Sequence, residues 1–272
     1  MRHQGLSGAG RLRRRSALPA TLVAAVAILA GAAPAAAGER YVALGDSYSS
    51  GVGTREYFDS NCKRSVHAYP SIIDVERPNT DLVFAACTGA KTGDVLSNQV
   101  SSVTAATAIV TITIGGNDAG FSDVITECAF PSWASNCNGA IDAAQSYISN
   151  TLPGRLNSVY GAIESRAPSA TVVVLGYPRL FMGVDCNGGT WFSSSEMTRL
   201  NQTADLLRDV TRTRAQAAGF TFKDAIPPYV GHAVCSSTEW INGLSNPVSE
   251  SYHPNRTGQR SGYAPLVRAV IG

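Results

Sequence analysis

The chain has 272 residues, 44% of them hydrophobic and 15% charged, with a formal net charge of +2. This composition belongs to a globular protein with a sizeable core and excludes a disordered chain. The positive balance arises in residues 1–37, which hold five of the 22 Lys and Arg and none of the 20 Asp and Glu. Residues 38–272 therefore carry a net −3, and no nucleic-acid partner is expected.

Arg2, Arg11, Arg13, Arg14 and Arg15 make a basic leader, Ala17 to Ala33 is apolar, and Ala35-Ala36-Ala37 supplies a small-residue cleavage site. Residues 1–37 read as a secretory signal peptide, because the apolar run is short for a membrane span of about 20 residues. Residues 38–272 are expected to form one secreted, extracellular, monomeric domain with no stable membrane span. All six cysteines lie in that part. An even number in a secreted chain predicts three disulfides, and of the many possible pairings the sequential one is simplest. No Cys-x-x-Cys is present, so no metal or cofactor is expected.

Five strand-like runs follow in order: Tyr41 to Leu44, Leu82 to Ala86, Ala108 to Ile114, Thr171 to Leu175 and Phe220 to Phe222. Most are nearly continuous apolar stretches, the pattern of strands buried on both faces. Helical periodicity spans Ala140 to Arg166, with Pro153 breaking or kinking it, then Ser194 to Ala218, then Thr257 to Ile271. The segment Phe121 to Gly139 reads as a long loop from Pro131, its two cysteines and Asn138-Gly139. Strands alternating with helices predict a single-domain three-layer α/β/α sandwich on a flavodoxin-like parallel sheet of about five strands.

In such sheets the strand C-termini collect the active site. Gly45-Asp46-Ser47, Cys87-Thr88-Gly89-Ala90, Gly115-Gly116-Asn117-Asp118 and Gly176-Tyr177-Pro178 stand at those ends. Ser47, on a turn feeding a helix, is the candidate nucleophile. Acyl transfer also needs a base and donors for the developing oxyanion. His67 and His232 lie in loops beside cysteines, whereas His253 stands in Ser251-Tyr252-His253-Pro254-Asn255, where the Pro-set turn before a terminal helix suits a positioned base. Asn117 offers a side-chain amide and Gly89 a backbone N–H to an oxyanion.

Together these segments resemble the SGNH (GDSL) hydrolase family: Gly-Asp-Ser near the start of the predicted domain, a glycine after the second strand, Gly-x-Asn-Asp, and a C-terminal histidine, in family order. The resemblance implies Ser47 as nucleophile and backbone oxyanion donor, Gly89 and Asn117 as the other donors, and His253 as base. The six cysteines and the leader resemble the secreted actinobacterial lipase, esterase and phospholipase branch. That likeness implies the pairs Cys62–Cys87, Cys128–Cys137 and Cys186–Cys235. Where the family has Asp-x-x-His, this chain has Glu250-Ser251-Tyr252-His253. Either Glu250 or the main-chain carbonyl of Ser251 is expected to orient the imidazole, the carbonyl being preferred in a Ser-His dyad.

The expected activity is hydrolysis of carboxylic esters of lipids through an acyl-enzyme on Ser47, as lipase, esterase or phospholipase A. The alternatives are a carbohydrate acetylesterase and a noncatalytic binding protein on the same scaffold. Phe121, Phe130, Pro131 and Trp133, with Leu180, Phe181, Met182, Trp191 and Phe192, are candidates for an apolar rim that binds acyl chains. Arg179 is a candidate for meeting a phosphate head group.

Overall fold

The computed structural model describes Gly10 and residues 38–272, so the predicted leader, Gly10 apart, lies outside the described residues. In chain order the elements are β1 (Glu39–Gly45), α1 (Ser47–Ser50), α2 (Tyr69–Glu76), β2 (Thr80–Phe84), α3 (Thr92–Asp94), β3 (Thr107–Thr113), α4 (Phe121–Ala129), α5 (Cys137–Asn150) and α6 (Leu152–Arg166). There follow β4 (Thr171–Leu175), α7 (Ser194–Ala217), β5 (Thr221–Lys223), α8 (Ile226–Tyr229) and α9 (Ala264–Ile271). The five strands form one parallel sheet in the order β2-β1-β3-β4-β5. Tyr41 to Leu44, Ile109 to Thr113 and Val172 to Leu175 are buried, as strands covered on both faces must be. Helices α2 and α9 pack together, and α4 to α7 pack among themselves, giving the expected layers.

Local chemistry explains the helix boundaries. Helix α7 opens with a capping box: Ser193 Oγ accepts the Glu196 N–H at 3.3 Å and Glu196 Oε2 accepts the Ser193 N–H at 2.8 Å. The periodic run from Ala140 to Arg166 divides at Thr151, and Pro153 sits in the first turn of α6, where its missing N–H costs nothing. The terminal run is helical throughout but begins with a wide π-type turn, Gly258–Tyr263.

One expectation fails. Phe121 to Gly139 is not a single loop, because α4 occupies Phe121–Ala129 with Val124, Ile125 and Cys128 buried on one face. Pro131 lies just beyond its end, while Asn138-Gly139 belongs to the first turn of α5. Asn136 caps that turn, its side chain accepting the Gly139 N–H at 3.3 Å. Turn-forming residues at two helix ends resembled one continuous loop. The cysteines pair as Cys62–Cys87, Cys128–Cys137 and Cys186–Cys235.

The sheet has its topological switch between β1 and β3: the chain leaves β1 for β2 on one side and returns to β3 on the other. The crevice at their C-terminal ends is where open α/β sheets bind ligands. Ser47 follows β1, and Asn117 lies four residues beyond β3.

Candidate active site

The turn after β1 is held from several sides. Gly45 has φ +122°, and a Cβ there would collide with the Thr113 carbonyl oxygen, so only glycine lets β1 and β3 approach this closely. The buried Gln99 amide pairs with both backbone groups of Gly45, at 2.7 and 2.9 Å. Asp46 caps α1 by accepting the Tyr48 N–H at 3.0 Å, and its N–H donates to the Thr113 carbonyl at 3.1 Å. This bracing places Ser47 in the first turn of α1, with its backbone N–H unpaired among the described residues.

Ser47 Oγ lies 2.8 Å from His253 Nε2, and His253 Nδ1 lies 2.8 Å from the Ser251 carbonyl oxygen. A carbonyl only accepts, so Nδ1 carries the proton and Nε2 offers its lone pair to the serine hydroxyl. Burial lowers the His253 pKa to about 4, outweighing the Ser251 carbonyl and the Glu250 charge, which raise it. The imidazole is therefore neutral near pH 7.

Glu250 makes no hydrogen bond to the ring. Its buried carboxylate accepts the Gly53 N–H at 2.7 Å and the Tyr57 hydroxyl at 2.5–2.6 Å. Gly53 has φ +98° and runs against the histidine, so a Cβ there would lie 2.9 Å from His253 Cβ. The backbone of His253 and Tyr252 is bonded to Asn242 at 2.9 Å on each side, and the Tyr252 carbonyl accepts the Tyr48 hydroxyl at 2.7 Å.

Asn117 donates one amide hydrogen to the Ala90 carbonyl at 3.1 Å, leaving its other N–H for a ligand. Asp118 accepts both the N–H and the hydroxyl of Thr92, at 2.9 and 2.5 Å, so the loops carrying Gly89 and Asn117 are tied together. The Gly89 N–H has no acceptor among the described residues. Ser47, Asn117 and His253 share one cavity; Gly89 is outside its lining. From these polar groups the cavity runs between α4, α5 and α7, past Phe121, Ile125, Ile148, Leu200 and Leu207.

Of the proposed apolar rim, Phe121 and Leu180 line this cavity. Phe181 and Phe192 are buried and pack on each other and on Tyr252, whereas Phe130, Trp133, Met182 and Trp191 are exposed and do not line it. Arg179 is engaged by Asp205 in a bidentate pair at 2.9 and 2.7 Å, which leaves it poorly available to a phosphate. His67 bonds to Glu56, and His232 stacks on Trp240 at 3.9 Å; neither lines the cavity. Among the described residues the one cluster of metal-type ligands is Cys186, Cys235 and Glu239, and its two sulfurs are already joined in a disulfide.

Sequence reasoning missed Tyr177, whose hydroxyl donates to Asp46, and Gln99. Tyr177 sat in a strand-end block, the one available signal; Gln99 carried none. Burial raises the Asp46 pKa to about 6, and its bonds from Tyr177, Thr113 and the Tyr48 N–H only partly offset this.

This parallel sheet, with its serine, histidine and asparagine gathered at the switch point, defines a hydrolase of the SGNH type. Residues 43–261 match the GDSL-like lipase/acylhydrolase family. Lipase 1 of Streptomyces coelicolor is 44% identical over 269 residues, spanning 96% of this chain and 99% of that protein. The crystal structure of an extracellular lipase from Streptomyces rimosus superposes with a TM-score of 0.80 at 45% identity, covering 86% of this chain and 100% of that one. Phospholipase A1 from Streptomyces albidoflavus superposes with a TM-score of 0.79 at 41% identity, covering 86% and 100%. The chain belongs to the GDSL-like lipase/acylhydrolase family, and it is a carboxylic ester hydrolase.

Proposed function

We propose that the protein is a secreted hydrolase of lipid carboxylic esters that works through an acyl-enzyme on Ser47. The observation that carries this reading is the 2.8 Å contact of Ser47 Oγ with a neutral His253 at the head of an apolar cavity. His253 Nε2 takes the hydroxyl proton as Oγ attacks the ester carbonyl. The oxyanion accepts hydrogen bonds from the Ser47 and Gly89 N–H groups and from Asn117 Nδ2. Each such donor contributes roughly 3 kcal/mol to transition-state stability. Collapse breaks the ester C–O bond, and the alcohol leaves with the proton from His253. A water, deprotonated by the same nitrogen, then attacks the acyl-serine and releases the acid. The Ser251 carbonyl fixes the tautomer, so the machinery is a dyad completed by main chain.

The cavity lining favours an acyl chain over a sugar, since α4, α5 and α7 present aliphatic and aromatic side chains to it. Export by the 1–37 leader is supported by the three disulfides, which persist in oxidising compartments. The protein then acts as an extracellular monomer without cofactor or nucleic acid. A panel of phosphatidylcholine vesicles, a p-nitrophenyl ester series and acetylated xylan tests the substrate. Turnover of medium- or long-chain esters at least tenfold above acetyl esters is expected. Best turnover of acetylated xylan would replace this reading with a carbohydrate acetylesterase.

A further inference from the structure

Tyr177 follows β4, and its hydroxyl stands at a junction. It donates to Oδ2 of Asp46, the residue before Ser47, and accepts the N–H of Gly116, the residue before Asn117, at 3.2 Å. One oxygen thus bonds to both turns that present the reacting groups. The other Asp46 oxygen is occupied by the Tyr48 N–H at 3.0 Å and the Thr113 hydroxyl at 2.8 Å, so that carboxylate is fixed on both sides. The Tyr177 ring packs edge-on against Tyr48 at 5.0 Å, and Tyr48 lies 5.3 Å from the His253 ring. A Cβ on Gly116 would lie 3.3 Å from Tyr177 Cζ, so the turn before Asn117 rests directly on this ring.

We infer that Tyr177 is a positioning residue for ester hydrolysis: by bonding Asp46 and the Gly116 N–H through one hydroxyl, it sets the spacing between Ser47 and the oxyanion amide of Asn117. The inference rests on the proposed roles of Ser47 and Asn117. Without the hydroxyl, a buried carboxylate loses a donor and a buried N–H loses its acceptor, so both turns relax toward other partners. Rates are sensitive to such shifts, since a displacement of about 1 Å can cost on the order of a hundredfold.

Tyr177→Phe keeps the ring and its packing and removes only the junction. We expect kcat to fall about ten- to hundredfold with KM for a short soluble ester changed less than about threefold. Introduced into an Asn117→Ala enzyme, the same change should lower kcat less than about threefold, because the group it positions is gone. Asp46→Asn, whose one amide oxygen stays with the Tyr48 N–H and the Thr113 hydroxyl and whose NH2 group replaces the acceptor facing Tyr177, should show the same loss of effect in that background. It stands in if Tyr177→Phe does not fold. A Tyr177→Phe enzyme within twofold of wild type, or equal losses with and without Asn117, overturns the inference. Retention of activity by Ser47→Ala would instead overturn the reading of the site itself, and this inference with it.

Discussion

His253 Nδ1 donates to the main-chain carbonyl of Ser251 at 2.8 Å, while the carboxylate three residues before it, Glu250, is turned away to Gly53 and Tyr57. Glu250 thus acts as a clamp between the loop after α1 and the turn that carries the histidine. Its charge raises the His253 pKa, as the least of the three influences on that group.

Glu250 and His253 should therefore behave differently on truncation. Glu250→Ala is expected to lower stability by about 2 kcal/mol, since it removes buried hydrogen bonds to a charged group, and to lower kcat by no more than about tenfold. His253→Ala is expected to lower kcat on the order of a thousandfold or more. Steady-state kinetics with urea unfolding separates the two. Equal loss of kcat in both variants contradicts the dyad.

The pH dependence of stability should show two opposed contributions. His253 has a pKa of about 4 in the folded protein against 6.5 ordinarily, so as pH falls from 6.5 toward 4 the unfolded chain gains a proton that the folded one refuses. Stability is lost through that window. Asp46 has a pKa of about 6 against 3.8, so the folded protein binds its proton first as pH falls from 6, and stability is gained. At about 1.4 kcal/mol per pH unit each contribution is at most roughly 3 kcal/mol, less for His253 where its ring keeps some solvent contact. Asp46→Asn removes the gain and should make the loss of stability from pH 7 to 4.5 steeper than in wild type by urea unfolding. An unchanged slope would contradict the Asp46 assignment. Directly, the His253 imidazole should titrate by NMR well below 6.5, and a value at or above 6.5 would refute its burial as the neutral base.

Acyl-chain preference should respond to small residues in the cavity wall. Ala144 on α5 and Ala204 on α7 both line it. Ala204→Phe fills space that an acyl chain would take, so kcat/KM for p-nitrophenyl octanoate or longer esters should fall at least tenfold, with the acetate ester changed about twofold or less. A uniform loss across the series would show that the chain lies elsewhere.

The sheet was legible because Tyr41 to Leu44, Ile109 to Ile114 and Val172 to Leu175 are buried and so read as nearly unbroken apolar runs. Pro153 announced a helix boundary by removing a donor. Helix α4 was hidden because Pro131 and Asn138-Gly139, which bound helices, carry the same signal as a loop. Ser47, Gly89, Asn117 and His253 could be singled out from turn chemistry and motif order, but their contacts join residues up to 206 positions apart. Glu250 illustrates that limit. Whether it reaches the histidine depends on Gly53 and Tyr57, 197 and 193 positions away, and no local pattern encodes that competition. Tyr177 was visible as part of a strand-end block, yet its function resides in where one hydroxyl oxygen falls between two turns.

The central claim is that Ser47 carries the acyl group. Acid quenching during turnover of a slowly deacylating p-nitrophenyl ester, followed by peptide mass spectrometry, tests it directly. The account predicts a mass gain of one acyl group on the peptide containing Ser47, absent in Ser47→Ala and strongly reduced in His253→Ala. An acyl group on another residue, or full hydrolytic activity in Ser47→Ala, would contradict it.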